Sequence, residues 1–138
     1  MKNECFLDTN ILIYAATKND SSPKSPIARN IVATTDFCMS SQVLGEFFVN
    51  ARKKLRPTLT IAEFEQWIKI LSEFPILAID TDVVRAGIAN SERFQISYWD
   101  GAIIAAAERL NAPILYTEDL NHGQQYGSVT VINTFKAN

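Results

Sequence analysis

A chain of 138 residues with 47% apolar content has the size of one domain and can bury a core without disulfides or a structural metal. A formal charge of −2 excludes attraction to nucleic acid through global charge, and Cys5 and Cys38 lack any C-x-x-C or metal-type spacing, which excludes a disulfide scaffold. No apolar run approaches the roughly 20 residues of a membrane span, and Asp8 and Asn10 break the N-terminal apolar stretch, so a single cytoplasmic domain over residues 1–138 is expected.

The first predicted strand, Cys5–Leu7, runs straight into Asp8, Thr9 and Asn10, and an apolar segment resumes at Ile11. Asp is depleted in strands and costly to bury unpaired, so this junction carboxylate either caps a helix or holds something charged. Residues 19–26, rich in Ser, Pro and Asn, read as a surface loop. Phe37–Met39 forms a second strand, followed by SSQVLGEFFVNARKK, in which Val43, Leu44, Phe47, Phe48, Ala51 and Leu55 make a helical apolar stripe. Glu46 and Asn50, one turn apart, share a flank of that stripe. Arg52, Lys53, Lys54 and Arg56 cluster at its end, either as a solvated helix terminus or as a phosphate-facing patch.

Thr60 and Glu63 have capping-box spacing ahead of a helix carrying Phe64, Trp67, Ile68 and Leu71. A third strand, Ile76–Ile79, leads to Asp80 and Asp82, which read as caps before Val83. Ser97 and Asp100 have capping-box spacing at the mouth of a helix over Tyr98–Leu110, where Tyr98 and Trp99 read as core residues before stacking surfaces. Ile114–Tyr116 forms a fourth strand and runs into Thr117, Glu118 and Asp119. His122, between Asn121 and Gly123, reads as a polar turn residue, and Val129–Ile132 forms the last strand.

Short apolar strands alternating with helices predict a parallel sheet covered on both faces, with ligands beyond the carboxyl ends of the strands. Acids stand at three of those ends, and Glu46 and Asp100 lie in helices. Each acid alone passes as a cap or a surface residue. Four of them on four elements, flanked by apolar sequence, would repel one another if the elements converge, and a hard divalent cation relieves that repulsion. Oxygen-only ligands suit magnesium or manganese, and a single histidine argues against zinc.

The segments FLDTNILIYA, SSQVLGEFFVNARKK, YWDGAIIAAA and ILYTEDLNHGQ, in this order, resemble the PIN-domain ribonucleases, and more closely the toxin component of VapBC-type toxin–antitoxin pairs. The resemblance implies a three-layer α/β/α sandwich with a central five-stranded parallel sheet, order 3-2-1-4-5. It also implies an acid cluster for one or two magnesium or manganese ions. Segment by segment, its acids fall on Asp8, Glu46, Asp100 and, through T-x-D at residues 117–119, Asp119. Glu46 would bind directly or through water. Thr9 and Thr117 would orient water or carboxylates, and Thr9 and Asn10 would take over the helix start. Of the adjacent Glu118 and Asp119, side-chain alternation sends only one to the metal, and Asp119 is expected there.

The implied activity is hydrolysis of RNA phosphodiesters, with Arg52, Lys53, Lys54 and Arg56 as candidate RNA contacts. The implied partners are a small antitoxin that masks the site and supplies operator-DNA binding, and a second copy of the chain in a homodimer. Two rival readings stand beside it. One is a phosphoacceptor receiver domain with Asp80 as the modified acid, and the other is a catalytically silent PIN scaffold that binds RNA.

Overall fold

Phe6, Leu7, Phe37, Cys38, Met39 and Leu115 expose none of their surface, so the runs that read as continuously apolar are covered on both faces. The computed structural model describes residues 3–18 and 22–136. Its elements run β1 (Cys5–Leu7), α1 (Thr9–Ala16), α2 (Lys24–Thr34), β2 (Phe37–Ser40), α3 (Ser41–Lys54), α4 (Ile61–Leu71) and β3 (Ile76–Leu77). They continue with α5 (Thr81–Phe94), α6 (Tyr98–Arg109), β4 (Ile114–Tyr116), β5 (Gln125–Tyr126) and β6 (Val129–Ile132).

The strands form one sheet in the order β3-β2-β1-β4-β6-β5, flanked by helices in an α/β/α arrangement. All pairings are parallel except β5 with β6, so the expected 3-2-1-4-5 order holds with β6 as its fifth strand. The sixth strand, β5, is two residues long, too short to carry a periodic signal. Its hairpin turns at Gly127, where φ is +62° and an added Cβ would lie 2.5 Å from the Glu108 carboxylate. That carboxylate accepts from both the backbone N and Oγ of Ser128.

Several predicted boundaries change, and β3 ends at Leu77 rather than Ile79, so Asp80 stands three residues beyond its strand. Helix α2 begins at Lys24, inside the stretch read as a loop. Pro26 does not stop it, because a helix's first turn has no acceptor for the N–H that proline lacks. The rest of that predicted loop, residues 19–21, lies outside the described residues. At the first junction the cap is Asp8 itself rather than Thr9 or Asn10, with Oδ1 accepting from the Thr9 backbone N at 2.7 Å.

Of the other caps, Thr60, Asp80 and Ser97 follow the sequence, Ser40 is one that the sequence reading left out, and Asp82 lies in the first turn of α5 rather than at its cap. Ser40 accepts from Val43 N, and Asp80 from Val83 N at 2.9 Å. Thr60 and Glu63 make both bonds of a capping box, whereas Ser97 accepts from Asp100 N. Helices α5 and α6 meet closely because a Cβ on Gly101 would sit 2.5 Å from the Gly87 carbonyl oxygen. Asn90 Nδ2 donates to Gly101 O at 3.1 Å beside that contact. The contact fixes the start of α6, and Asp100 is in its first turn.

The register then decides which strand ends meet. β1 leaves the sheet's centre between β2 and β4, so the chain reverses its direction of travel across the sheet there. Pairing of Leu7 with Tyr116 brings the next residues, Asp8 and Thr117, side by side, and Asp8 N donates to Tyr116 O at 3.1 Å. Strand β3 pairs with β2, which therefore separates Asp80 from the β1 end. A receiver-type site needs those two acids adjacent, so that rival loses its geometric basis. No helix among the described residues is long and apolar enough to cross a membrane.

Candidate active site

Asp8 is held on both oxygens. Oδ1 takes the Thr9 N–H, and Oδ2 takes the Thr117 hydroxyl at 2.6 Å. The residue is only 4% exposed, and burial pushes its carboxyl up to about 7. The two hydrogen bonds act in the opposite direction, while the charges of Asp119 and Asp100 add to the rise. A buried acid with two donors and still a raised pKa lacks a countercharge.

The neighbours explain why. One carboxylate oxygen each from Asp8, Asp100 and Asp119 lies within 4.8 Å of the others. Asp8 arrives from the end of β1, Asp100 from the first turn of α6, and Asp119 three residues beyond β4. Asp100 is half-buried, and burial raises its pKa, with Asp119 and Glu46 adding to the effect and the Ser97 hydroxyl opposing it. Asp119 is steered by Asn10 Nδ2, 3.2 Å from its Oδ2, and by its own backbone N, which donates to Thr117 Oγ1 at 3.1 Å. Thr117 thus ties the first and fourth acids together.

Glu46 stands outside the tight trio and forms the cleft wall. Its Oε1 accepts from Thr9 Oγ1 and from Gln42 Nε2, both at 3.3 Å. The cleft, about 120 Å³, is lined by Asp8, Thr9, Glu46, Asn50, Asp100 and Asp119 among others, over Ile13 and Ile103. The adjacent acids diverge as alternation predicts. Glu118 turns to Tyr14 OH at 2.6 Å and Lys24 Nζ at 2.7 Å. Burial pushes Glu118 up, but the bonds from Lys24 and Tyr14 and the charges of Lys24 and Lys54 outweigh it, leaving its pKa below the usual value.

The basic cluster splits. Lys54 lines the acid cleft, Lys53 lies in a groove with Val49 and Trp99, and Arg52 lies over the Phe48 ring at 5.4 Å. Arg56 Nη1 donates to the carbonyls of Arg52 and Leu55. Trp99 is 59% exposed and lines the cleft, which corrects its reading as core, whereas half-buried Tyr98 packs near Gly87. The first turn of α6 projects one ring outward because Asp100 and Gly101 take the inward positions. His122 sits in a turn and accepts from Asn133 N at Nδ1.

Three residues at the site, Tyr14, Lys24 and Gln42, are not among those singled out in the sequence. Gln42 is one helical turn before Glu46 on the same face, so its spacing could have revealed it. Lys24 could not be found this way, because α2 was hidden in a loop-like composition, and Tyr14, on α1, meets Glu118 only through the tertiary fold.

The trio offers oxygen donors alone, and no ion pair among the described residues involves it. With the raised pKa of Asp8, this donor set fits a hard divalent cation. In comparisons with known proteins, the model of the PIN domain family matches residues 5–126. No curated protein matches the sequence. Among solved structures, a toxin–antitoxin complex from Klebsiella pneumoniae gives a TM-score of 0.71 at 19% identity, over 96% of this chain and 99% of that one. VapC20 of Mycobacterium tuberculosis, described as a sarcin–ricin-loop-cleaving toxin, gives 0.68 at 18% identity, over 83% and 89%. DNA-bound VapBC from Salmonella typhimurium gives 0.62 at 21% identity, over 95% and 97%. At these identities the likeness is one of fold.

Proposed function

The chain belongs to the PIN domain family, and from that premise we propose that it is a metal-dependent endoribonuclease, the toxin of a toxin–antitoxin pair. The observation that carries this reading is the convergence of Asp8, Asp100 and Asp119 oxygens within 4.8 Å at the sheet's switch point. One or two magnesium or manganese ions held by these three acids would supply Lewis-acid activation of water and neutralisation of phosphate charge.

The chain's own residues supply the rest. Thr117 and the Thr9 N–H keep both Asp8 oxygens in one orientation, and Asn10 does the same for Asp119. Glu46 spends Oε1 on Thr9 and Gln42, which leaves Oε2 to hold a water or accept its proton. Lys54, on the cleft wall, offsets the repulsion between the acids and the RNA backbone. Trp99, exposed at the rim, offers a face on which a base can stack. Attack by water on phosphorus leaves a 5′-phosphate and a 3′-hydroxyl.

RNA as substrate is supported by the described activity of VapC20, and an antitoxin partner by the Klebsiella complex. We read residues 1–138 as one domain that acts in the cytoplasm and pairs with a second copy of itself. The test is incubation of purified protein with RNA and magnesium. Cleavage with 5′-phosphate ends, lost in Asp100→Asn and Asp119→Asn, is expected. RNA binding without cleavage in the unaltered protein would make it a silent scaffold instead.

A further inference from the structure

The acid cleft, about 120 Å³, is far below the roughly 300 Å³ at which small-molecule sites begin, so it holds a reacting phosphate and its metal but no whole nucleotide. The nucleosides on either side of that phosphate must lie in the spaces that adjoin it. A second cleft, about 310 Å³, shares Asn10, Ile13, Lys54 and Glu118 with the acid cleft. An open groove shares Glu46, Asn50 and Trp99 with it. The second cleft and the groove have no lining residue in common, so they leave the acid cleft in different directions.

Charge separates these two spaces. In the groove Lys53 is balanced by Glu46. In the second cleft the one carboxylate, Glu118, is already occupied, with Oε1 accepting from Tyr14 OH at 2.6 Å and Oε2 from Lys24 Nζ at 2.7 Å. Lys24 therefore offsets its charge, and two further cations, Lys54 and Arg56, stand on the wall. Arg56 Nη1 is anchored on the Arg52 and Leu55 carbonyls. Lys54 makes no hydrogen bond or ion pair among the described residues, so its ammonium keeps its donors for a ligand where the two clefts meet. Ile13 and Leu55 add apolar surface beside it. An open ammonium next to apolar surface suits a phosphate with its nucleoside attached.

We propose that the second cleft is the subsite for the RNA phosphate adjacent to the scissile one, with Lys54 binding that phosphate and the intervening nucleoside lying on Ile13 and Leu55. This assignment rests on the ribonuclease reading for the identity of its ligand but not for its test. Adenosine 3′,5′-bisphosphate carries two phosphates across one ribose, as consecutive RNA linkages do, and adenosine 5′-monophosphate carries one. Their dissociation constants are measured in excess magnesium by amide-shift NMR titration, for the unaltered chain, Lys54→Met and Lys53→Met. Methionine keeps a straight apolar stem and removes the charge. Both lysines are exposed in the last turn of α3, so the two substitutions remove the same helix-end interaction and the same net charge. Only Lys54 lines the second cleft.

The bisphosphate should bind the unaltered chain roughly 10- to 100-fold more tightly than the monophosphate. Lys54→Met should reduce that advantage to about threefold, whereas Lys53→Met should leave it within about twofold of the parent's. No advantage in the unaltered chain, an advantage that survives Lys54→Met, or equal losses in the two variants overturns the subsite. The two readings fail separately. RNA cleaved in magnesium without a Lys54-dependent advantage removes the subsite and keeps the nuclease. A Lys54-dependent advantage without RNA cleavage removes the nuclease and keeps the subsite.

Discussion

Replacing Asp8 with asparagine should make the metal-free protein more stable at neutral pH, although it removes a residue of the active site. Asp8 is 4% exposed, and its carboxyl is raised from 3.8 to about 7, chiefly by burial. A shift of about three units corresponds to ~4 kcal/mol of preference for the neutral form in the folded state. Because the folded pKa is the higher one, this stabilising contribution is complete below about pH 4. It is lost progressively as pH rises through the folded value near 7.

Asparagine keeps the shape, its Oδ1 still accepts the Thr9 N–H, and its amide can donate to Thr117 Oγ1. Denaturant unfolding of EDTA-treated protein should therefore show Asp8→Asn ahead by up to ~4 kcal/mol at about pH 7.5, roughly 10–15 °C in Tm at this length. Near pH 4 the two proteins should converge. Magnesium should then stabilise the parent at neutral pH and leave the variant unmoved. A gap that does not change with pH, or a variant less stable throughout, would refute the claim that burial without a countercharge raises Asp8.

Other outcomes follow from single contacts. Thr117→Val removes the hydroxyl between Asp8 and Asp119 N, and should slow RNA cleavage and cost about 1–3 kcal/mol in denaturant unfolding. Gly101→Ala puts a methyl 2.5 Å from Gly87 O in the α5–α6 contact, and should lower stability by about 1–3 kcal/mol. Gly45→Ala, in the open on α3 with nothing within 4 Å of the new methyl, should raise it by about 0.5–1 kcal/mol. Expression of the chain alone should arrest growth, and Asp119→Asn should relieve the arrest, read as colony counts under induction.

The strands were legible because parallel strands buried on both faces must be apolar throughout, as Phe6, Leu7, Cys38 and Leu115 are. The acids were legible as positions, since each interrupts apolar sequence, but their convergence needed the Leu7–Tyr116 register, which no local pattern encodes. Helix α2 was hidden because Ser, Pro and Asn at its start imitate a loop, and with it went the Lys24–Glu118 pair. The exposure of Trp99 was misread because a large ring near a helix start usually packs. Here the inward positions went to Asp100 and to Gly101, which packs against the Gly87 carbonyl.

The central claim is that Asp8, Asp100 and Asp119 form a divalent-metal centre for cutting RNA. Its most direct test is cleavage of an end-labelled RNA by one preparation, followed with magnesium, after EDTA, and after magnesium is restored, with Asp100→Asn alongside. The account predicts cleavage that stops in EDTA, returns with magnesium, and is absent from the variant throughout. Cleavage that persists in EDTA, or that Asp100→Asn performs at the parent's rate, would contradict it.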